Sequence, residues 1–335
     1  MPAAGRPHML QSRSMSRRIA LVVALAASAC RGPARDAQPH AQSKPPAPVA
    51  ARLKPIAPAP APAPQRPLLV PQRVVIISED GLRPDALTPA LAPRHIALMK
   101  EGATARTAET IRESDTLPSH ASMLSGVSAD LHGLWWNSYH AERGYIHVPT
   151  IFSAAHAAGL TTAMIVGKPK LRHIAIPGTV DHFERPSYLC GGVSKRAAEY
   201  FTQAKPDLLF IHFSDPDEYG HSHGWMSPEY LHAVANSDKC LATVLAAIDQ
   251  SGLAATTLVI VTADHGGHGL GHSAGHDTVD RDIPWIARGP QIPPGSELEG
   301  TVETVDTAAT TLAALGLPAL PHMLGAARFN FVRSL

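Results

Sequence analysis

Arg73-Val74-Val75-Ile76-Ile77-Ser78-Glu79-Asp80-Gly81 is a short apolar run that ends directly in an Asp-Gly pair. A run without polar alternation reads as a strand buried on both faces. Comparable runs occupy 161–166, 208–213, 257–262 and 284–287. Helical patterns lie between and after them, at 89–101, 150–158, 194–204, 227–249 and 305–315. The longest opens with Ser227-Pro228-Glu229, an N-cap followed by proline at the first helical position. Within it Leu241, Val244, Leu245 and Ile248 make one apolar stripe. The last helix is closed by Gly316 and Pro318. Alternation of this kind predicts an α/β fold over 72–335: a three-layer αβα sandwich with a mainly parallel central sheet. Ligands in such sheets bind at the carboxyl ends of strands.

Three aspartates stand at such ends. Asp80 follows the first run, Asp217 comes shortly after 208–213, and Asp264-His265-Gly266 follows 257–262. Each alone is an ordinary turn former or helix cap. Three at equivalent places, two with histidines nearby, point to a metal. His221 lies four residues beyond Asp217, with Gly220 between. Around Asp264 and His265 are His268, His272 and His276, interleaved with glycines, so these histidines do not share one helix face. A mixed Asp/His set without cysteine suits catalytic zinc. A passive metal-storing histidine tract is the plainer alternative, but it leaves the aspartates unexplained.

Asp115-Thr116-Leu117-Pro118-Ser119-His120 holds the candidate nucleophile. It reads as a loop entering a helix at 119–124, whose N-terminus would attract phosphate. Thr116 is then either a capping hydroxyl or, with a metal or base beside it, a nucleophile. Lys168 follows the run at 161–166 and reads as a solvated loop lysine, with contact to a phosphate as the alternative. Trp135, Trp136 and Tyr139 read as packing residues, or as a stacking surface for an aromatic or sugar group.

The first 70 residues do not read as part of the fold. Arg17 and Arg18 precede an apolar run at 19–29 that is too short to span a bilayer. Residues 1–30 therefore read as a signal peptide. Ala27-Ser28-Ala29-Cys30 is lipobox-like, although Ala27 stands where leucine is usual. Met15 is a candidate true start. Residues 31–71 form a Pro/Ala-rich linker. These features predict an exported, periplasmic domain tethered through Cys30, touching membrane only through its lipid. The formal charge of +1 gives no field for nucleic acid, so no nucleic-acid binding is expected, and no protein partner is evident. Three cysteines are too few for a disulfide scaffold. Cys190 and Cys240 can pair in an oxidising compartment, but sequence does not place them together.

The segments 78–85, Thr116-Leu117-Pro118-Ser119-His120, Asp217-Glu218-Tyr219-Gly220-His221, Asp264-His265-Gly266-Gly267 and 283–290 occur in an order that carries a resemblance. Together they resemble the type I phosphodiesterase/nucleotide pyrophosphatase branch of the alkaline phosphatase superfamily. The resemblance implies a hydrolase of phosphoric ester bonds with two Zn2+ ions (or another divalent metal), acting on a small phosphoester. One zinc is expected on Asp80, Thr116, Asp264 and His265. The other is expected on Asp217, His221 and His272, with His276 as the rival for the last place. Thr116 is the implied nucleophile, forming a phospho-threonine, and Asn137 the implied contact to a phosphoryl oxygen.

Two departures stand out. Glu79 occupies a place where the family favours an apolar or small residue, and it is expected either to face solvent or to tune the site. About six residues separate His265 from His272, where nucleotide pyrophosphatases often carry a long insertion, so the site looks open. Thr at 116 without a CxPxR-type motif argues against a sulfatase. A phosphoethanolamine-type transferase and a non-catalytic metal-binding lipoprotein remain the alternative readings.

Overall fold

The computed structural model describes residues 69–272 and 277–332. The signal segment, Cys30, the linker up to residue 68 and His276 lie outside the described residues. Eight strands are present among them: β1 Arg73–Glu79, β2 Ala103–Glu109, β3 Thr162–Val166, β4 His182–Glu184, β5 Leu208–Phe213, β6 Thr257–Thr262, β7 Trp285–Arg288 and β8 Ser296–Glu303. The helices are α1 Pro93–Glu101, α2 Thr116–Ser125, α3 Ala129–His132, α4 Ile151–Ala157, α5 Cys190–Ala204, α6 Asp215–His223, α7 Pro228–Gln250, α8 Thr278–Arg281 and α9 Asp306–Leu315.

The strands form one sheet in the order β4-β3-β5-β1-β6-β7-β2-β8. All neighbours are parallel except β7, which runs antiparallel to β6 and β2. One group of helices, α1, α5, α6 and α7, packs together, and α2, α3, α4 and α9 form another. This is the α/β sandwich that the alternating runs predict. Val74, Val75, Ile76 and Ile77 of β1 are fully buried in alternating directions, so both faces of the central strand are covered. Burial of each such side chain contributes roughly 1.5–3 kcal/mol.

The five strands read from apolar runs are all present, and α7 starts where expected, with the Ser227 hydroxyl accepting from the Tyr230 N–H. Three strands had no such signal. β4 and β8 are sheet edges and β2 lies next to β8, and all three carry polar or half-exposed residues. Helix starts differ for local reasons. The pattern at 89–101 becomes helical only at Pro93, because proline biases Ala92 away from helical backbone. α2 begins at Thr116, not 119, since Pro118 falls in the first turn, where a missing N–H costs nothing. α5 begins at Cys190 despite Gly191 and Gly192, because Asp215 Oδ2 accepts from the Cys190 N–H at 2.6 Å. Cys190 and Cys240 are joined in a disulfide that ties α5 to α7. Among the described residues no helix is long and apolar enough to cross a membrane.

Candidate metal and nucleophile site

β3, β5, β1 and β6 are adjacent and parallel, so their carboxyl ends open on one place. There they deliver Lys168, Asp217, Asp80 and Asp264 in that order across the sheet. Asp80 leaves β1 and Asp264 leaves β6 directly, while Asp217 sits in the first turn of α6. Asp217 is locked to β1: its N–H donates to the Asp80 carbonyl at 2.9 Å. Gly81 makes this approach possible. Its φ is +69°, and a Cβ there would lie 2.9 Å from the Asp217 Cα. The Gly81 carbonyl accepts from Trp225 Nε1 and from the Tyr230 hydroxyl, each at 2.9 Å, which holds the turn from α7's side.

The histidines present a common arrangement. His265 donates from Nδ1 to the Gly266 carbonyl at 2.8 Å, and His221 from Nδ1 to the Leu270 carbonyl at 2.9 Å. Each therefore turns Nε2 toward the aspartates. His265 Nε2 lies 3.4 Å from Asp80 Oδ1, 3.5 Å from Asp264 Oδ2 and 3.7 Å from Asp217 Oδ1. His221 Nε2 lies 3.2 Å from both Asp217 Oδ1 and His272 Nε2. Two groups result whose ligand atoms all fall within 4.8 Å of one another: Asp217, His221 and His272, and Asp80, Asp217 and His265. His268 turns away to Asp280 at 2.7 Å.

The donor chemistry fits cations. Asp80 Oδ1, Asp217 Oδ1, Asp264 Oδ2 and His265 Nε2 are buried and lack hydrogen-bond partners, and they converge on one another. Leaving several such polar atoms buried and unpaired costs about 1–3 kcal/mol each. Burial and the Asp80 charge push the Asp264 carboxyl up to about 7. Burial alone would lower His265, yet Asp264, Asp80 and Asp217 raise it to about 10. The carboxylates thus call for positive charge at Nε2, which a proton or a metal supplies. Burial and the neighbouring His265 hold His272 down at about 3, in the neutral form that binds metal.

Thr116 is buried at the first position of α2, with its Oγ1 3.5 Å from Lys168 Nζ. His120, one turn on, donates from Nδ1 to the Thr116 carbonyl at 2.7 Å and accepts from the Ser78 hydroxyl at 2.8 Å. Asn137 sits at the same helix end. Its Oδ1 accepts from the Leu117 N–H at 3.1 Å, and its Nδ2 donates to Asp115 at 3.2 Å. His212 donates to Asp80 Oδ2 at 2.8 Å, orienting that carboxylate from inside β5.

Several expectations need correction. Lys168 is not a solvated loop residue: it is 4% exposed, lies 2.7 Å from Asp80 Oδ2 and also contacts Asp217. The rule that placed the aspartates applies to it equally, since Gly167-Lys168 leaves the carboxyl end of β3. Glu79 does not face solvent. It is fully buried and pairs with His95 and Ser237. Trp136 is half-buried, under the Arg143 guanidinium at 4.8 Å and edge-on to His173, while Trp135 and Tyr139 are exposed. His120 and His212 each lie inside an element that is buried along its whole length, α2 and the apolar β5, which is the sequence signal for them.

The profile of the type I phosphodiesterase / nucleotide pyrophosphatase family matches residues 74–281, more than half of the chain. The chain belongs to this family. The family's description names phosphodiesterases and nucleotide pyrophosphatases, enzymes that hydrolyse phosphoric ester and anhydride bonds. Human ectonucleotide pyrophosphatase/phosphodiesterase family member 5 is 25% identical over 214 residues, covering 58% of this chain and 45% of that one. The bis(5'-adenosyl)-triphosphatase enpp4 of Xenopus laevis is 24% identical over 214 residues, covering 58% and 47%. The chain thus spans about half the length of the curated relatives it matches. Among solved structures, murine ectonucleotide pyrophosphatase/phosphodiesterase 5 superposes with a TM-score of 0.65 at 18% identity, covering 75% of this chain and 97% of that one. A phosphonate monoester hydrolase from Silicibacter pomeroyi gives 0.58 at 17%, covering 76% and 75%. The fold is the one shared with these solved structures.

Proposed function

We propose that this protein is an exported phosphoester hydrolase that works with two zinc ions and uses Thr116 as nucleophile. The observation that carries this reading is the convergence of four unpartnered buried ligand atoms, with Lys168 linking Asp80 and Asp217 to the Thr116 hydroxyl. Asp80, Thr116, Asp264 and His265 would hold one ion, and Asp217, His221 and His272 the other. When bound, the metals supply positive charge to the phosphoryl oxygens and acidify the Thr116 hydroxyl and a water. Thr116 Oγ then attacks phosphorus. Its bond to phosphorus forms as the opposite ester P–O bond breaks, and the alcohol departs. Water cleaves the resulting phospho-threonine and restores the hydroxyl. The N-terminal end of α2 places its dipole against the transferred group. An amide nitrogen carries two protons, so Asn137 can serve Asp115 and a phosphoryl oxygen at once. His120 and His212 hold Thr116 and Asp80 in place.

Export through a signal segment and tethering by Cys30 belong to the same proposal. The Cys190–Cys240 disulfide supports it, since such bonds persist in oxidising compartments. The test is to measure bound zinc and hydrolysis of p-nitrophenyl esters by the full chain and by Thr116→Ala. About two zincs and a Thr116-dependent rate are expected. A wild type with less than one zinc, or a rate that survives Thr116→Ala, overturns the proposal.

A further inference from the structure

Two ammonium groups enter this site, and the two-metal threonine reading gives neither a task. Gly167 turns the chain so tightly at the end of β3 that a Cβ there would lie 2.2 Å from Ser214 Oγ. The turn lays Lys168 into the site, where its Nζ stands 3.5 Å from Thr116 Oγ1. Two residues on, in the 3-10 helix Pro169–Ile174, the half-buried Lys170 donates to Asn137 Oδ1 at 2.9 Å. Asn137 in turn receives the Leu117 N–H. One lysine therefore faces the nucleophilic oxygen and the other the helix end beside it.

Burial of an ammonium is costly unless it meets negative charge. Lys168 meets Asp80 and Asp217. Lys170 meets only the neutral amide of Asn137 among its hydrogen-bond partners in the described residues. Burial and the neighbouring Lys168 lower its proton affinity. A second cation held near the first, with no carboxylate in ion-pair contact among the described residues, is positioned for an anion that arrives with the substrate. A phosphodiester offers one negative charge and two non-bridging oxygens. A phosphomonoester dianion offers two charges and three such oxygens. We infer that Lys168 and Lys170, with Asn137 between Lys170 and α2, form a receptor for the dianionic phosphoryl group and make the enzyme prefer phosphomonoesters to phosphodiesters.

The inference rests on the Thr116 reading, and one experiment separates them. The zinc-loaded full chain, Lys168→Ala, Lys170→Ala and Thr116→Ala are assayed on p-nitrophenyl phosphate and bis-p-nitrophenyl phosphate. Zinc content and the dissociation constant for inorganic phosphate are measured on each. The wild type is expected to favour the monoester by kcat/KM. Each lysine variant is expected to lose about 10²-fold on the monoester and only a few-fold on the diester, as when one charge-stabilising donor is removed. Phosphate binding weakens in parallel while zinc content holds. A wild type that favours the diester overturns the inference, as does an equal loss on both esters. If Lys168→Ala loses zinc or fails to fold, Lys170→Ala, which touches no metal ligand, decides alone. If Thr116→Ala keeps its rate, the underlying mechanism fails instead.

Discussion

His95 donates from Nε2 to Glu79 Oε1 at 2.9 Å, with both side chains fully buried, one residue before Asp80. The other ring nitrogen donates to Asp238 at 2.8 Å, and Glu79 also receives the Ser237 hydroxyl. One imidazolium thus fastens α1 and α7 to the end of β1. Burial opposes the charge on His95, but Glu79 and Asp238 raise its pKa to about 9, against 6.5 unperturbed. A pKa raised on folding stabilises below the unfolded value and loses that stability as pH climbs through the folded one. Urea unfolding should therefore show roughly 3 kcal/mol less stability above pH 9 than at pH 6.5 from this group. His95→Asn should be less stable throughout and lack that fall. An identical fall in the variant would assign it to other groups.

Removing Glu79 tests the same cluster from its other side. Glu79→Ala leaves an imidazolium with one partner and Ser237 without its acceptor. A loss of about 3–5 kcal/mol is expected, as for a broken buried pair. Glu79→Gln, which keeps the shape, should recover part of it. Denaturant midpoints measure both, and a change below 1 kcal/mol in Glu79→Ala would show the cluster to be dispensable.

The central sheet is legible in the sequence because β1, β3, β5 and β6 are buried on both faces and so carry unbroken apolar runs. β8, with Ser296, Glu297 and Glu299 along it, is an exposed edge, and its pairing with β2 is a long-range choice that no local pattern announces. The aspartates and histidines of the site were readable from strand ends and glycine spacing. Lys168 was not, because a lysine after a strand is usually solvated, and only the sheet order puts β3 beside β5 and β1. The place of Glu79 stayed open for a related reason: its partners His95 and Ser237 come from two distant helices.

Gly81 carries a steric demand that a single methyl group exposes. With φ at +69° and Asp217 2.9 Å from the added Cβ, Gly81→Ala strains the turn and pushes α6 away from β1. A stability loss of roughly 1–3 kcal/mol follows from the backbone alone. Zinc affinity should fall further, because Asp80 and Asp217 separate. Calorimetric zinc titration of the variant checks this, and unchanged affinity would mean that the two aspartates do not act together.

The disulfide closes a loop of 50 residues that contains α6 and hence Asp217. Loop-closure entropy makes such a link worth about 4 kcal/mol. Cys240→Ser should lower the melting temperature, and reductant should lower the wild type to the same value while leaving the variant unchanged. A wild type indifferent to reductant would show that the bond adds no net stability.

The Asp217, His221 and His272 group should behave as a separate metal site. His221 and His272 lie 3.2 Å apart at Nε2 on the more exposed side, whereas His265 is enclosed by three carboxylates. Chelation should therefore remove the ion held by His221 and His272 first. His272→Ala should bind about one zinc in place of two and lose at least about 10²-fold in rate, as removal of a charge-stabilising group does. His276→Ala should keep both ions if His272 is the third ligand of this group. Metal analysis of the two variants after identical dialysis decides between them: loss of zinc in His276→Ala with retention in His272→Ala would move the ligand to 276.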